Sequence, residues 1–271
     1  MTFNLKKEWG DHKIFTYDTN KHKFIEYLQK LYDCQNLDNL HFESEDFNKF
    51  QKIEGSLDDR ETDLHKIFYN EIKKNNEFKK LYCDFIKDIY KQFFKDEKLL
   101  IYQSFPSIRL QYANSVTVPP HCDSDSLGCH PIGEKNFLVP ITTMKNTNTV
   151  YIESQPEKGD FEPVNMEYGD LLFFNGNKCI HYNMKNNEGK LRISFDFRVL
   201  TLKDYLNYVF NHEITITNPR DPHNSSDRDP IKMLIGGYYQ VTFLNESINN
   251  MLEWYKLKGT IMQHRPSFEK E

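Results

Sequence analysis

Between residues 99 and 200 the chain breaks into short runs rich in Val, Ile, Phe and Tyr, separated by turn residues and with no helical stretch between them. The runs fall at 100–104, 107–112, 116–118, 136–142, 149–153, 171–175, 178–182 and 191–200, and Gly-Asp pairs at 159–160 and 169–170 punctuate them. Strands that follow one another without crossover helices pair antiparallel, so this density predicts a sandwich or barrel.

The flanks read differently. Residues 1–98 are expected to be mostly helical. Leu64, Ile67, Phe68 and Ile72 recur at helical spacing, as do Phe78, Leu81, Phe85, Ile86, Ile89 and Phe93, with Asn76 as the expected N-cap of the second helix. A weaker helix is predicted near 21–32. After residue 200, helices are predicted at 202–210 and 247–257 and a strand at 237–243; the polar segment 218–230 (NPRDPHNSSDRDP) reads as a mobile loop. The expected organisation is a single domain over 1–271: a helical layer (1–98), a β core (99–200) and a C-terminal extension (201–271).

Composition narrows the function classes. Lys+Arg total 35 against 40 Asp+Glu, for a net charge of −5, which argues against a sequence-independent nucleic-acid coat. Mean hydropathy is −0.73 and no apolar run approaches a membrane span, so no membrane association is expected. The opening MTFNLKKEWGDHKIF has no apolar core of a signal peptide, and the five cysteines form no C-x-x-C pair. Reduced thiols in a cytoplasmic protein are the expectation.

Three features of the β region bear on chemistry. In His121-x-Asp123, residues i and i+2 of an extended segment project to one side, so both can grip one ion; a surface His and Asp fit the same letters. His181 follows the apolar run at 171–174 and an Asn175-Gly176-Asn177 turn, which predicts a hairpin returning the histidine toward the interior; a core histidine fits equally. Arg192-x-Ser194 places a guanidinium and a hydroxyl on one strand face, suited to a carboxylate if that face is inward, or paired with a surface acid if outward. Two imidazoles and one carboxylate make a facial triad suited to non-haem iron. Cys122, Cys129 and His130 fit no standard zinc spacing, and Cys179 reads as a small core residue. Residues 122–134 are expected to form one rim of the site.

The stretches PSIRLQYANSVTVPPHCDSD, GCHPIGEKNFLVPIT, YIESQPEKGDFEP, YGDLLFFNGNKCIHYN and GKLRISFDFRV, spanning about 106–200, resemble the 2-oxoglutarate/Fe(II)-dependent oxygenases, most of all the streptomycin-biosynthesis-type hydroxylases; IGGYY at 235–239 resembles that family's tail. The resemblance implies a double-stranded β-helix core, jelly-roll or cupin-like. It implies Fe(II), 2-oxoglutarate and O2 as cofactor and cosubstrates, with oxidative decarboxylation to succinate. His121, Asp123 and His181 match the iron ligands, Arg192 and Ser194 the holders of the distal 2-oxoglutarate carboxylate, and Asn136 a polar cosubstrate contact. Arg198, on the same strand phase, is the alternative anchor. Asp123 supplies the carboxylate that halogenating relatives lack, which favours hydroxylation, with desaturation or ring closure open to the same site.

Arg109, Gln111, Tyr151, Glu153, Asn175 and Arg198 are the candidate substrate contacts, a polar set of mixed charge that suggests a small polar substrate such as a sugar, cyclitol or amino acid, free or carried. A peptide or protein side chain is the second substrate reading and nucleic-acid demethylation the third; the other function classes are a non-catalytic metal-binding barrel and a metal-dependent hydrolase or isomerase on a cupin-like barrel. Oligomeric state is left open.

Overall fold

The computed structural model describes residues 3–48, 62–124, 130–211, 233, 235 and 238–244. Two antiparallel sheets face each other as a double-stranded β-helix. The large sheet runs β1 (Phe3–Trp9), β2 (His12–Tyr17), β8 (Asp170–Phe174), β5 (Lys135–Pro140), β10 (Arg192–Thr201), β3 (Leu100–Gln103), β11 (Tyr239–Thr242), and β4 (Ser107–Gln111) also pairs with β10. The small sheet runs β7 (Glu162–Pro163), β6 (Val150–Ile152), β9 (His181–Asn183). Between them, Ile14, Leu138, Leu172 and Phe174 from the large sheet meet Val150, Ile152 and Val164 of the small-sheet side, and Cys179 is buried in that apolar cluster.

Helices α1 (Phe24–Leu31), α2 (Asp63–Lys74) and α3 (Asn76–Phe93) cover the outer face of the large sheet. Phe195 and Phe197 of β10 reach that layer: Phe195 meets Phe24 at 4.8 Å, and Phe197 meets Tyr82 at 5.5 Å and Phe85 at 6.3 Å, all near edge-on. The apolar phase of β10 is therefore the outer one. Helix α4 (Leu202–Asn211) follows β10 directly. No helix among the described residues is long and apolar enough to cross a membrane.

The first hundred residues, expected to be mostly helical, also open with the β1–β2 hairpin. Its turn is Gly10-Asp11, with Gly10 at φ +51°. A Cβ there would lie 1.9 Å from the Ser154 carbonyl oxygen, so only glycine permits this approach to the small-sheet side. Residues 116–118 form no strand. Val118 accepts from the Asn183 N–H (2.9 Å), but Pro119 and Pro120 have no N–H to continue a ladder. The expected hairpin around Asn175-Gly176-Asn177 is instead a crossing between sheets, since β8 pairs with β2 and β5 whereas β9 pairs with β6. The N-cap of α3 is Asn75 rather than Asn76, its side chain accepting from the Glu77 N–H at 2.8 Å. The predicted helix at 247–257 and the loop at 218–230 lie outside the described residues.

Phe85 is fully buried and packs on Phe3, Tyr17, Phe24 and Phe197. Phe85→Ala is expected to cost about 3–5 kcal/mol of unfolding free energy, read by urea denaturation.

Candidate metal centre

His121, Asp123 and His181 each offer one ligand atom, and those atoms all lie within 4.8 Å of one another. The segment carrying His121 runs antiparallel beside β9, bridging His121 to His181 through His121 N–H to His181 O (3.2 Å) and His181 N–H to His121 O (2.9 Å). Asp123 N–H is tied to the Gly176 carbonyl (2.9 Å), in the crossing between β8 and β9. Two segments some sixty residues apart in the chain, His121–Asp123 and His181, thus meet at one edge of the small sheet.

Each imidazole is oriented by the carbonyl two residues before it. His121 Nδ1 lies 2.9 Å from Pro119 O, and His181 Nδ1 lies 3.1 Å from Cys179 O. A carbonyl only accepts, so each Nδ1 carries a proton, which turns Nε2, the atom that would ligate an ion, toward the centre. Those Nε2 atoms are 3.5 Å and 3.9 Å from Asp123 Oδ1. Burial lowers His181 to a pKa of about 4 against the pull of Asp123, so it is neutral near pH 7. Burial alone would raise Asp123; the Arg198 charge, and then the facing imidazoles, outweigh it and hold the carboxyl well below the usual range. Two neutral nitrogens and one carboxylate oxygen form a donor set that suits iron(II).

The second oxygen of Asp123 is committed elsewhere. Oδ2 accepts from Asn136 Nδ2 (2.5 Å) and from Arg198 Nε (3.1 Å). Asn136, expected at the cosubstrate, therefore gives its amide to Asp123, while its Oδ1 is buried without a hydrogen bond. Arg198 also donates from Nη1 to Asp196 Oδ2 at 2.6 Å and to Gln103 Oε1 at 3.4 Å.

Arg192 and Ser194 lie on the inward phase of β10, 1% and 0% exposed. Arg192 lines the cavity beside the two histidines, and Ser194 Oγ is buried without a hydrogen bond. Of the candidate substrate contacts, Arg109 and Arg198 line the cavity; Gln111, Tyr151, Glu153 and Asn175 do not. Gln111 spends Nε2 on the carbonyls of Ser115 and Met184. Tyr151 alternates outward from Val150 and Ile152 and stacks on Tyr182, rings 5.5 Å apart. Glu153 accepts from the N–H groups of Ile180 (2.6 Å) and Gly159 (3.0 Å), and Asn175 donates to Asp11 (2.9 Å). Gln111, Glu153 and Asn175 thus hold loops in place, and Tyr151 packs across β6 and β9.

Sequence reasoning assigned no role to Asp196, which joins Arg109 Nε (2.7 Å) to Arg198. Its signal was present: Arg192, Ser194, Asp196 and Arg198 occupy alternate positions of an otherwise apolar strand. His130, grouped with Cys122 and Cys129 in the zinc alternative, has Nδ1 2.9 Å from Glu134 Oε2, and Glu134 accepts from the Tyr239 hydroxyl. Among the described residues the His121, Asp123, His181 group alone has metal-binding geometry; Cys129 lies outside them.

No known family profile matches the chain. The streptomycin biosynthesis protein StrG of Streptomyces griseus is 33% identical over 153 residues, an alignment covering 54% of this chain and 67% of StrG. The chain belongs to the StrG family. Among solved structures it resembles SnoK, a non-heme alpha-ketoglutarate-dependent carbocyclase from nogalamycin biosynthesis, with TM-score 0.41, 11% identity, and 71% of this chain and 80% of SnoK covered. It also resembles CytC3 with Fe(II) and alpha-ketoglutarate, at TM-score 0.31 and 12% identity, over 38% of this chain and 45% of CytC3, so it spans less than half of that protein.

Gly176 gives this StrG-family member's site a test of packing. A Cβ there would lie 2.5 Å from the Phe174 ring and 3.0 Å from Asn136 Cγ, the amide that holds Asp123. Gly176→Ala is expected to cost about 1–3 kcal/mol of stability through overpacking and to weaken metal binding, measured by thermal unfolding with and without added metal.

Proposed function

We propose that the chain is an Fe(II)- and 2-oxoglutarate-dependent oxygenase that hydroxylates a small polar substrate. The observation that carries this is the convergence of His121, Asp123 and His181, with both Nε2 lone pairs fixed toward one point beside a buried arginine. In this reading the three residues hold Fe(II), and the Arg192 guanidinium and Ser194 hydroxyl hold the distal carboxylate of 2-oxoglutarate. A buried guanidinium beside a hydroxyl suits that anion: the fork of Arg192 matches a carboxylate, and Ser194 Oγ, which makes no hydrogen bond within the protein, has a proton to donate. Iron(II) with 2-oxoglutarate supplies oxidation of a C–H bond by dioxygen, with succinate and carbon dioxide released.

The chain's own contribution is orientation and exclusion of water. Leu138, Val150 and Phe174 give the cavity apolar walls next to the histidines, which keeps solvent from the reacting centre. Arg109, whose side chain is 22% exposed, brings a charge to the same wall, supporting a substrate that carries hydroxyl, amine or carboxylate groups. A sugar, cyclitol or amino acid, free or attached to a carrier, fits this description; a peptide side chain is the alternative that the same assay separates.

Succinate formation measured with Fe(II), 2-oxoglutarate and panels of sugars, cyclitols, amino acids and peptides tests the reading. The small polar compounds are expected to stimulate turnover; stimulation by peptides alone would replace the substrate, and no 2-oxoglutarate consumption with any panel would remove the oxygenase assignment. His121→Ala, Asp123→Ala and His181→Ala are expected to abolish turnover through lost metal. Arg192→Ala is expected to raise the 2-oxoglutarate requirement at least tenfold, about 1.4 kcal/mol or more, with metal still bound.

A further inference from the structure

The two oxygens of Asp123 face different neighbours. Oδ1 faces Nε2 of both histidines, whereas Oδ2 is taken by Asn136 Nδ2 and Arg198 Nε. We infer that Arg198 is a positioning residue: by occupying Oδ2 it fixes Asp123 as a one-oxygen ligand and keeps a coordination position open at the metal. The inference rests on the reading of His121, Asp123 and His181 as metal ligands.

Arg198 is itself held on its other side. Its Nη1 donates to Asp196 Oδ2, and Asp196 Oδ1 accepts from Arg109 Nε at 2.7 Å. Charge therefore alternates along Arg109, Asp196, Arg198 and Asp123, from the cavity wall to the ligand. Asp196, Arg198 and Asp123 are 7%, 6% and 2% exposed, so solvent screens these contacts weakly. A carboxylate with both oxygens available can grip an ion with both or swing between them. The planar guanidinium prevents this by bonding two carboxylates at once in a fixed fork; a lysine ammonium is a point charge on a flexible stem and holds neither geometry. The same commitment argues against Arg198 as the distal anchor for 2-oxoglutarate, because its Nε and Nη1 are already engaged.

Titrating metal-free protein with Co(II) alone, without 2-oxoglutarate, separates the two roles. Arg198→Lys is expected to lower Co(II) affinity about 10- to 100-fold by calorimetry and to shift the visible Co(II) bands. Asp196→Asn, which disturbs Arg198 only indirectly, is expected to lower affinity less, and the double variant to lose less than the product of the two single losses. Arg192→Lys is expected to bind Co(II) like the wild type and to lose 2-oxoglutarate binding to the Co(II)-loaded protein. Circular dichroism checks that each variant is folded; if Arg198→Lys is not, Asp196→Asn decides. Wild-type Co(II) affinity in the folded variants overturns the inference and leaves the metal reading standing, whatever happens to 2-oxoglutarate. A wild-type chain that binds no Co(II) overturns the metal reading and this inference together.

Discussion

Strand β10 has no solvent face. Nine of its ten residues, Arg192 to Leu200, are buried, the odd-numbered ones under helices and Arg192, Ser194, Asp196 and Arg198 on the side of the barrel. Removing an ion from water costs several kcal/mol unless a partner compensates, so this strand dictates its surroundings. Asp196 lies between Arg109 and Arg198, and Arg198 reaches the Asp123 carboxylate. The two arginines hold Asp196 below the ordinary carboxylate range despite its burial. The Asp123 carboxylate is thus part of how the fold neutralises its own interior, and the candidate site and the core of the barrel are one electrostatic problem.

The histidines show how little the backbone must do to build the rest. Each ring is set by the carbonyl two positions earlier, on segments that bridge each other antiparallel. Extended backbone places alternate side chains on one side, and a donor at Nδ1 leaves the acceptor at Nε2. The prolines before His121 contribute by what they lack: with no N–H at 119 and 120, the segment touches β9 at Val118 and again at His121 without forming a strand, and the Asp123 N–H then reaches the Gly176 carbonyl. Main-chain carbonyls thus orient the two imidazoles, whereas side chains of β5 and β10 orient the Asp123 carboxylate.

Much of this was readable from residue patterns where periodicity is strong. Leu64 to Ile72 and Phe78 to Phe93 repeat at helical spacing and are helices. The apolar runs at 100–104, 107–112, 136–142 and 191–200 are strands, shifted by at most two residues at either end. The β1–β2 hairpin was missed because FNLKKEW is mostly exposed, an edge strand whose consecutive Lys6, Lys7 and Glu8 do not alternate with apolar residues. Yet its Gly10-Asp11 turn carries the same dipeptide as those at 159–160 and 169–170, and that was the available signal. The β8–β9 error has a different origin. Asn175-Gly176-Asn177 is a turn in either topology, and local sequence does not say whether the strands it joins pair with each other or with partners far away.

Strand phase explains which polar residues reach the cavity. On β6, Val150 and Ile152 occupy the interior cluster, so Tyr151 must face out, and no change of side chain moves it inward without a one-residue slip of the whole strand. On β4, Arg109 and Gln111 share a phase, yet only Arg109 reaches the cavity, since Gln111 is drawn to the Ser115 and Met184 carbonyls near the strand's end. Glu153 and Asn175 lie just past their strands, where backbone N–H groups and the hairpin turn's Asp11 need partners, and they supply them. A polar residue just past a strand end is drawn into loop hydrogen bonds, whereas Asp196 in the middle of β10 pairs with Arg198 on its own strand and with Arg109 on the neighbouring one. Arg109 of β4, Arg192, Asp196 and Arg198 of β10, and Tyr182 and Asn183 of β9 are therefore the polar residues that the strands bring to the cavity wall beside His181.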